Sequence, residues 1–332
     1  MKLLLTAIGK RIQLIEHLRS RFYVVGADAS FDNPAKEFVD EFVTIPKCTD
    51  TAYKDSILTV CKENKIDVLV PLYEKEFLAL CDIREELEAN GTKLILSDRK
   101  VIEACNDKAA TAVFFEKYQI PAPRTFTDAE IQEFLRFDEE DMSIPYPFII
   151  KPRDGMGSVN VFQIHNKREL DFFYGYVKNP IVQEMATGDE YTIDVLCDYE
   201  GNPVYIVPRL RLEVRSGEVS KSRISRNQKV IDATENLVEQ LKKEGNVMGP
   251  LTIQCFYDDS KEGEEPVVKF IEVNPRFGGG VPLSIQAGAD YAGALQAMRE
   301  GKKLEYTPIE KELTMLRYDQ AVYEEMGLKY LW

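Results

Sequence analysis

The sequence predicts an α/β region followed by an α+β region, and three observations carry this prediction. The first hundred residues alternate short continuous apolar strands with amphipathic helices, the pattern of a parallel sheet covered on both faces. A proline-marked connection at residues 120–125 ends that pattern. Strands beyond it follow one another through short turns, which is typical of antiparallel sheets. The 332 residues suit about two domains.

The N-terminal region is predicted to be a doubly wound parallel sheet. Its predicted strands cover residues 3–7, 23–25, 67–71 and 93–96, with helices at 11–20, 51–64 and around 77–87. Asp28 follows the second strand and could accept a ribose hydroxyl. Only Gly9 follows the first strand, however, so the glycine pattern of a dinucleotide site is absent and a dehydrogenase is disfavoured. Gly9-Lys10-Arg11 also fails as a P-loop.

The region beyond residue 125 is predicted to be mostly antiparallel. Its predicted strands cover residues 147–151, 159–164, 181–185, 191–197, 204–212, 251–257 and 267–274. One long helix is predicted at residues 228–244. A helix at 107–118 precedes the proline-marked connection.

Composition excludes several classes of protein. With 42 Lys and Arg against 56 Asp and Glu, the net charge of −14 disfavours nucleic acid as a partner. No apolar run is long enough for a membrane span or a signal peptide. Six scattered cysteines suit a reducing cytoplasm. The only histidines, His17 and His165, disfavour a catalytic triad or a histidine metal site. We therefore expect chemistry from carboxylates, amides, lysines and arginines.

The most informative stretch runs from Lys269 to Gly280. Alternate residues of a strand share a face, so Glu272 and Asn274 point the same way, with Arg276 just beyond the strand. A carboxylate, an amide and a guanidinium on one face suit a hard cation held against phosphate. Gln254 lies within the apolar strand before it. Taken alone, Gln254 also fits a solvent-facing position of an edge strand.

Two further clusters are weaker. Lys151 ends a strand and runs into a loop with two glycines, which allows backbone amides to approach phosphate but also fits a simple hairpin. The segment from Val182 to Thr192 contains Glu184 and Glu190 around a short turn. These carboxylates could hold an amino group and ribose hydroxyls, or could be surface charges.

A basic segment and a glycine run are candidate substrate contacts. Residues 208–223 are rich in arginine within an acidic chain, and they could bind a carboxylate or form a solvated hairpin. The glycines after Arg276 precede a predicted helix beginning near Pro282, whose start could hold an anion. The candidate substrate residues are Arg209, Arg211, Arg215, Gly278 and Gly279.

Taken together and in this order, the clusters resemble the ATP-grasp superfamily. The likeness extends over residues 1–305, and it is greatest to the ATP-binding halves of the carbamoyl-phosphate synthetase large subunit and to the pyrrolysine-pathway ligases. It implies a pre-ATP-grasp domain at 1–98 and a two-lobed ATP-grasp domain at 99–332. The small nucleotide-clamping lobe is expected at about 120–187, and the metal and catalytic lobe at 188–332.

The resemblance implies a nucleotide site. The implied phosphate contacts are Lys108 and Lys151, with Arg153, Gly155, Gly157 and Ser158 in a closing loop, while Glu184, Met185 and Ala186 recognise adenine and Glu190 binds ribose.

The resemblance also implies a metal site. Gln254, Glu272 and Asn274 match its ligands, with Glu272 shared between two Mg²⁺ ions and Mn²⁺ as an alternative metal. Arg276 matches the arginine that steadies the transferred phosphoryl group, so Arg276 and Lys151 are the expected catalytic residues. Many relatives carry an acidic residue where this chain has Gln254.

The implied activity is ATP-dependent ligation of a small carboxylate to an amine, through an acyl phosphate and with release of ADP and phosphate. Only one ATP-grasp unit is visible, so carbamoyl phosphate synthesis by this chain alone is not expected. A non-catalytic nucleotide-binding regulatory or scaffold protein is the alternative. We also expect the protein to be cytoplasmic and to form a homodimer.

Overall fold

The computed structural model describes residues 1–136, 146–155, 157, 159–215, 217–260 and 265–324. Its first sheet is five-stranded and parallel, as the alternating pattern predicts. The elements of this region are β1 (Lys2–Thr6), α1 (Ile12–Leu18), β2 (Tyr23–Asp28), β3 (Glu41–Thr44), α2 (Tyr53–Asn64), β4 (Val68–Pro71), α3 (Phe77–Asp82), α4 (Arg84–Ala89), β5 (Lys93–Leu94) and α5 (Arg99–Asn106). Short 3-10 turns cover Pro34–Phe38 and Glu74–Glu76. The strand order is β3-β2-β1-β4-β5.

A second, four-stranded sheet follows. Its region contains α6 (Lys108–Lys117), β6 (Thr125–Phe126), α7 (Asp128–Arg136), β7 (Phe148–Pro152), β8 (Phe162–Ile164), α8 (Lys167–Tyr176) and β9 (Pro180–Glu184). The strands are antiparallel in the order β6-β9-β7-β8. Helices α7 and α8 pack on this sheet through a small core that includes Ile131 and Leu170.

The third sheet has six antiparallel strands. Its region contains β10 (Asp189–Cys197), β11 (Pro203–Arg215), β12 (Glu218–Ile224), α9 (Gln228–Leu241), β13 (Gly249–Asp258), β14 (Val267–Asn274), α10 (Val281–Ala287), α11 (Tyr291–Arg299) and β15 (Thr314–Leu316). The order is β14-β13-β10-β11-β12-β15. Strand β15 pairs with β12, so part of the C-terminal segment completes this sheet, while residues 325–332 lie outside the described part of the chain.

The first sheet is covered on one face by helices from the far end of the chain. Leu3 and Leu5 share a core with Leu283 of α10 and Leu295 of α11. Leu4 points the other way and packs among residues of α2 and α3, because successive strand residues face opposite sides. The N-terminal region and the six-stranded sheet therefore share a hydrophobic core. The boundaries at residues 98, 120 and 187 stay predictions.

The sequence predicted none of the elements β3, α5, β6, α7, α8, β12, α11 and β15. Strand β3 is half-buried and short, so it shows no continuous apolar run. Strand β12 alternates polar side chains with buried ones such as Val219 and Ile224, and it forms the second arm of the basic hairpin. Helix α8 buries only Leu170. Each of these three owes its place to pairing or packing with residues distant in sequence.

The excluded classes can be compared with the structure. No helix in the described ranges is both long enough and apolar enough to cross a bilayer. The six cysteines are all free thiols. Burial raises the pKa of Cys61, Cys105 and Cys255 to about 12, so these thiols stay protonated at neutral pH.

Glu76 is a buried acid at the carboxyl edge of the first sheet. Its side chain is 4% exposed and accepts a hydrogen bond of 2.5 Å from the Thr6 hydroxyl. The pKa of Glu76 is raised to about 7. Burial is the largest cause, the nearby Asp28 and Glu74 add to the rise, and the hydrogen bond from Thr6 opposes it. The folded protein therefore prefers the protonated carboxyl.

We expect the free energy of unfolding to fall as pH rises from about 4.5 to about 7. Over that window the unfolded state has lost the Glu76 proton and the native state retains it, so raising the pH favours unfolding by roughly 2–3 kcal/mol in total. Glu76→Gln removes this dependence, and urea unfolding at pH 5, 6, 7 and 8 measures it. The exposed Glu85→Gln is the control and keeps the wild-type slope. An unchanged slope in Glu76→Gln would contradict the assignment.

Candidate active site

A cavity of about 550 Å³ lies where the three sheets meet. The four-stranded sheet contributes Lys151, and the six-stranded sheet contributes Glu190 and Glu272. The N-terminal region contributes Arg11 and Glu74. Most of the polar residues singled out in the sequence therefore line one space, although they are spread over 170 residues of chain.

Polar side chains form a row across the six-stranded sheet. The strand register places Glu272 opposite Gln254, Gln254 opposite Thr192, and Thr192 opposite Arg209. Neighbouring strands lie about 4.8 Å apart, so the row spans roughly 14 Å from Glu272 to Arg209. The predicted shared face of Glu272 and Asn274 agrees with this register, because Asn274 begins the next row opposite Thr252.

Gln254, Glu272 and Asn274 present oxygen atoms to the cavity at one end of this row. In the described residues these three side chains have no hydrogen-bond or ion-pair partner within the protein. Asn274 is nevertheless only 8% exposed. One carboxylate and two amide oxygens without partners are a donor set that suits a hard cation such as Mg²⁺. The described ranges hold no group of three or more His, Cys, Asp or Glu side chains that could bind a metal ion. The present set is of a different kind, since only one of its three side chains is a carboxylate.

Two lysines lie beside these oxygens. Lys151 is carried by β7, where Ile149 shares its face and lines the same cavity. The pKa of Lys151 is lowered to about 8. Burial is the largest cause, Glu272 opposes the change, and the charge of Lys108 adds to it. Lys108 begins α6, and its Nζ donates a 2.6 Å hydrogen bond to the Gly155 carbonyl. This end of the cavity is therefore positively charged next to the Glu272 carboxylate.

The turn between β9 and β10 lines the opposite wall. Glu184, Met185 and Ala186 lie there, and the last two follow the end of β9. Glu190 forms an ion pair of 3.0 Å with Arg211. Burial raises the pKa of Glu190, and Arg211 works against that rise.

The glycine loop after β7 reaches the cavity through Gly155 and Gly157. Arg153 does not face the cavity, because its guanidinium is bound at 3.0 Å by Asp107, the residue that caps α6. Ser158 lies outside the described residues. The backbone of Gly157 touches Gly217 at the tip of the β11–β12 hairpin, where a Cβ on Gly217 would overlap it.

The segment from Phe277 to Gly280 crosses the sheet after β14. A Cβ on Gly278 would lie 2.8 Å from Thr252 Oγ1, and one on Gly279 would lie 3.1 Å from Arg11 Nη1. A Cβ on Gly280 would overlap the Arg209 guanidinium. The three glycines thus allow the backbone to lie directly on polar side chains of three different elements. Helix α10 follows and has only seven residues.

Arg209 forms a buried ion pair with Asp194. Its Nε and Nη2 donate hydrogen bonds of 2.7 and 2.9 Å to the two carboxylate oxygens, and both side chains are under 5% exposed. Ser284 of α10 donates a further hydrogen bond of 2.5 Å to Asp194. Arg215 lies on the same strand but is 77% exposed and pairs with Glu213, so the structure does not bring it to the cavity.

Sequence reasoning missed the two residues from the N-terminal region. Arg11 precedes α1, and Glu74 opens the turn after β4. Glu74 forms an ion pair with Arg276, across 202 positions of sequence. The two cations after Gly9 were the sequence feature that could have indicated an anion-binding role for Arg11. The neighbouring sequence does not show, however, that this turn faces Arg276.

The cavity combines lysines beneath a glycine loop, a set of oxygen ligands and an arginine. This combination is typical of enzymes that bind a nucleoside triphosphate with a hard cation. The family comparison specifies the class. An ATP-grasp domain model matches residues 105–280, and a model of the N-terminal domain of PylC-like proteins matches residues 3–95. The chain belongs to the ATP-grasp family, and the predicted resemblance, fold class and enzyme class are confirmed.

Relatives and solved structures agree with this assignment. The carbamoyl phosphate synthase large chain of Pseudothermotoga lettingae is 23% identical over 259 residues, which is 72% of this chain and 22% of that protein. The chain thus spans about a fifth of the length of this relative. N5-carboxyaminoimidazole synthetase from Staphylococcus aureus, complexed with ADP, has a TM-score of 0.73 at 18% identity and covers 96% of this chain and 82% of its own. The biotin carboxylase domain of Hydrogenobacter thermophilus 2-oxoglutarate carboxylase, with MgADP, ADP and bicarbonate, has a TM-score of 0.71 at 20% identity over 92% and 71% of the two chains.

We expect Arg209→Met to lower the free energy of unfolding by about 3–5 kcal/mol, because it leaves the Asp194 charge buried and without its partner. Urea denaturation measures this loss. Arg215→Met is the matched control on the same strand, and we expect it to leave the unfolding midpoint unchanged since its ion pair is exposed. Equal effects of the two substitutions would contradict the structural role given to the buried pair.

Proposed function

We propose that this chain is an ATP-dependent ligase that joins a carboxylate to an amine through an acyl phosphate. The observation that carries the proposal is that Lys151, Glu272 and Arg276 line one cavity of about 550 Å³. Family membership supports ATP-dependent ligation in general.

The nucleotide occupies the end of the cavity between the four-stranded and six-stranded sheets. Lys151 and Lys108 neutralise its phosphates, and the backbone of Gly155 and Gly157 closes over them. Met185 and Ala186 offer backbone groups to the adenine edge beside Glu184, and Glu190 accepts from the ribose. Ile149 and Phe256, neither of which was singled out in the sequence, supply apolar surface for the purine ring.

Gln254, Glu272 and Asn274 would hold Mg²⁺, because they are cavity-facing oxygen donors without partners among the described residues. Bound there, the ion would neutralise phosphate charge during transfer. Two ions sharing Glu272, and Mn²⁺ as a substitute, remain predictions. The amide of Gln254 leaves this set less negative than one built from two carboxylates.

Two reaction steps follow. An oxygen of the substrate carboxylate attacks the γ-phosphorus of ATP, the bond to the β-phosphate oxygen breaks, and ADP leaves with that electron pair. The amine nitrogen then attacks the acyl carbon, phosphate leaves, and the nitrogen loses a proton. Arg276 and Lys151 stabilise the charge on the transferred phosphoryl group, and the enzyme acts chiefly by positioning and charge neutralisation.

The carboxylate lies beside Arg276 and the backbone of Gly278 and Gly279. Arg211 is less suited to this role than the sequence suggested, because it is held by Glu190 on the ribose side. A small-molecule pair of carboxylate and amine fits a cavity of this size. The full reaction of a carbamoyl phosphate synthase is not proposed for a single unit of this length. A cytoplasmic homodimer stays a prediction.

Magnesium-dependent ADP release tests the proposal. The panel contains amino acids, other carboxylates and bicarbonate, each with and without ammonia or amine acceptors. We expect release to depend on one carboxylate–amine pair. Glu272→Ala is the blank and should lower turnover to background while leaving the circular dichroism spectrum unchanged, since Glu272 has no structural partner in the described chain.

Near-normal turnover in Glu272→Ala would refute the metal assignment. If Mg²⁺-ATP binds but no carboxylate–amine pair raises ADP above the blank, the alternative of a nucleotide-binding regulatory or scaffold protein is favoured. Most of the polar residues that the ATP-grasp resemblance implies line the cavity, which supports the ligase over this alternative.

We expect nucleotide affinity to weaken about tenfold between pH 7 and pH 9, because Lys151 loses its proton in the free protein with a pKa of about 8. Lys151→Arg keeps its positive charge over this range and should flatten the profile, whatever its absolute affinity. Titration with a fluorescent ATP analogue measures both. The exposed Lys178→Arg is the control and should follow the wild-type profile. A wild-type profile that is already flat would rule out this role for Lys151.

A further inference from the structure

Two arginine side chains contact the glycine segment at the acceptor end of the cavity, and they differ in whether a carboxylate neutralises them. Arg209 approaches Gly280 from β11, within the six-stranded sheet. Arg11 approaches Gly279 from the N-terminal region. Consecutive Cα atoms are 3.8 Å apart, so the two guanidinium groups meet the same short piece of backbone.

Arg209 uses only two of its three nitrogens. Nε and Nη2 are bound by Asp194, while Nη1 is fully buried and has no hydrogen-bond partner. A Cβ on Gly280 would overlap this Nη1, so the backbone of Gly280 covers it. Arg209 is therefore sealed beneath the glycine segment, with its charge neutralised by Asp194.

Arg11, in contrast, has no ion-pair partner among the described residues. No carboxylate of the described chain lies within 4.0 Å of its guanidinium, and its side chain makes no hydrogen bond there. The pKa of Arg11 is lowered to about 10, chiefly by burial and then by the charge of Arg276, while Glu218 and Glu74 oppose the change. Arg11 is therefore held in an unfavourable place for a positive charge unless an anion joins it.

The acids near Arg11 and Arg209 are already paired. Glu74 is held by Arg276, and Asp194 by Arg209 and Ser284. Glu218 contacts Lys10 at 3.5 Å and Arg317 at 3.1 Å. Within the described ranges, the cations of this end other than Arg11 are therefore paired with carboxylates.

We infer that Arg11 binds a substrate carboxylate that is not the one phosphorylated. This inference rests on the proposed function and names the substrate class, which is a ligand with an additional carboxylate. That group belongs either to a dicarboxylate donor or to an amino acid acceptor. A carboxylate has two oxygens and can accept from two N–H groups of one guanidinium at once. Arg11 is then the residue through which the N-terminal region determines specificity.

The test compares matched ligand pairs that differ in one carboxylate. Succinate is paired with succinamate as donor, and alanine and glutamate are paired with their α-amides as acceptors. ADP release is measured for wild type, Arg11→Met and Lys10→Met. Lys10 is the matched control, because it removes the neighbouring positive charge from a side chain that is 69% exposed.

We expect the wild type to favour one member of these pairs that retains the additional carboxylate. For that ligand, Arg11→Met should raise KM by about 10- to 100-fold with kcat changed less than about threefold, as for a lost charge-assisted hydrogen bond. The substrate whose KM changes identifies the donor or the acceptor as the source of the carboxylate. Lys10→Met should stay within about twofold of wild type. Equal use of acid and amide, or equal effects of the two variants, would overturn the inference.

A binding measurement keeps the inference separate from the proposed function. Calorimetric titration with succinate, alanine or glutamate in the presence of Mg-ADP needs no turnover. Binding that is lost in Arg11→Met and retained in Lys10→Met supports the carboxylate site even if no ADP is ever released. If none of these acids binds more tightly than its amide, the carboxylate site is refuted whether or not the protein is a ligase. An unchanged thermal midpoint in Arg11→Met excludes misfolding as the cause.

Discussion

The buried ion pair between Asp194 and Arg209 is the interaction on which the acceptor half of the cavity depends. It joins the two central strands of the six-stranded sheet, and Ser284 attaches helix α10 to the same carboxylate. The segment from Phe277 to Gly280 must then pass directly over the pair, which requires glycine where a side chain would strike the guanidinium. The strands, the crossing segment and the start of α10 are thus positioned by one desolvated contact.

The cross-strand row divides the site into two halves with opposite electrostatic character. Oxygen donors that have no partner among the described residues lie at the Glu272 end, where a cation can join them. Guanidinium groups lie at the Arg209 end, roughly 14 Å away across three strand spacings. Arg276 lies beyond the strand that carries Glu272, and its backbone is tied to Thr252 by a hydrogen bond of 2.8 Å. In the proposed reaction, the transferred phosphoryl group lies between a cation bound at the Glu272 end and the guanidinium of Arg276.

Sequence periodicity predicted what depends on local order. The parallel sheet followed from apolar runs between helices, and the shared face of Glu272 and Asn274 followed from the strand period. Sequence periodicity could not show that Arg11 faces Gly279, because that contact depends on how α10 and α11 pack on the first sheet. Nor could it separate Arg209 from Arg215: both lie on β11, and only the strand pairing and the overlying helix bury the first.

The ion pair between Glu74 and Arg276 has a consequence for the history of the chain. It joins side chains from the two regions that separate family models describe. A substitution on either side leaves a half-buried charge behind on the other, so the two regions are constrained to change together. Exchange of the N-terminal region between relatives would carry Arg11 and Glu74 with it as one unit. Recombination at this boundary would therefore be selected by charge matching at the cavity rather than by the stability of either region alone.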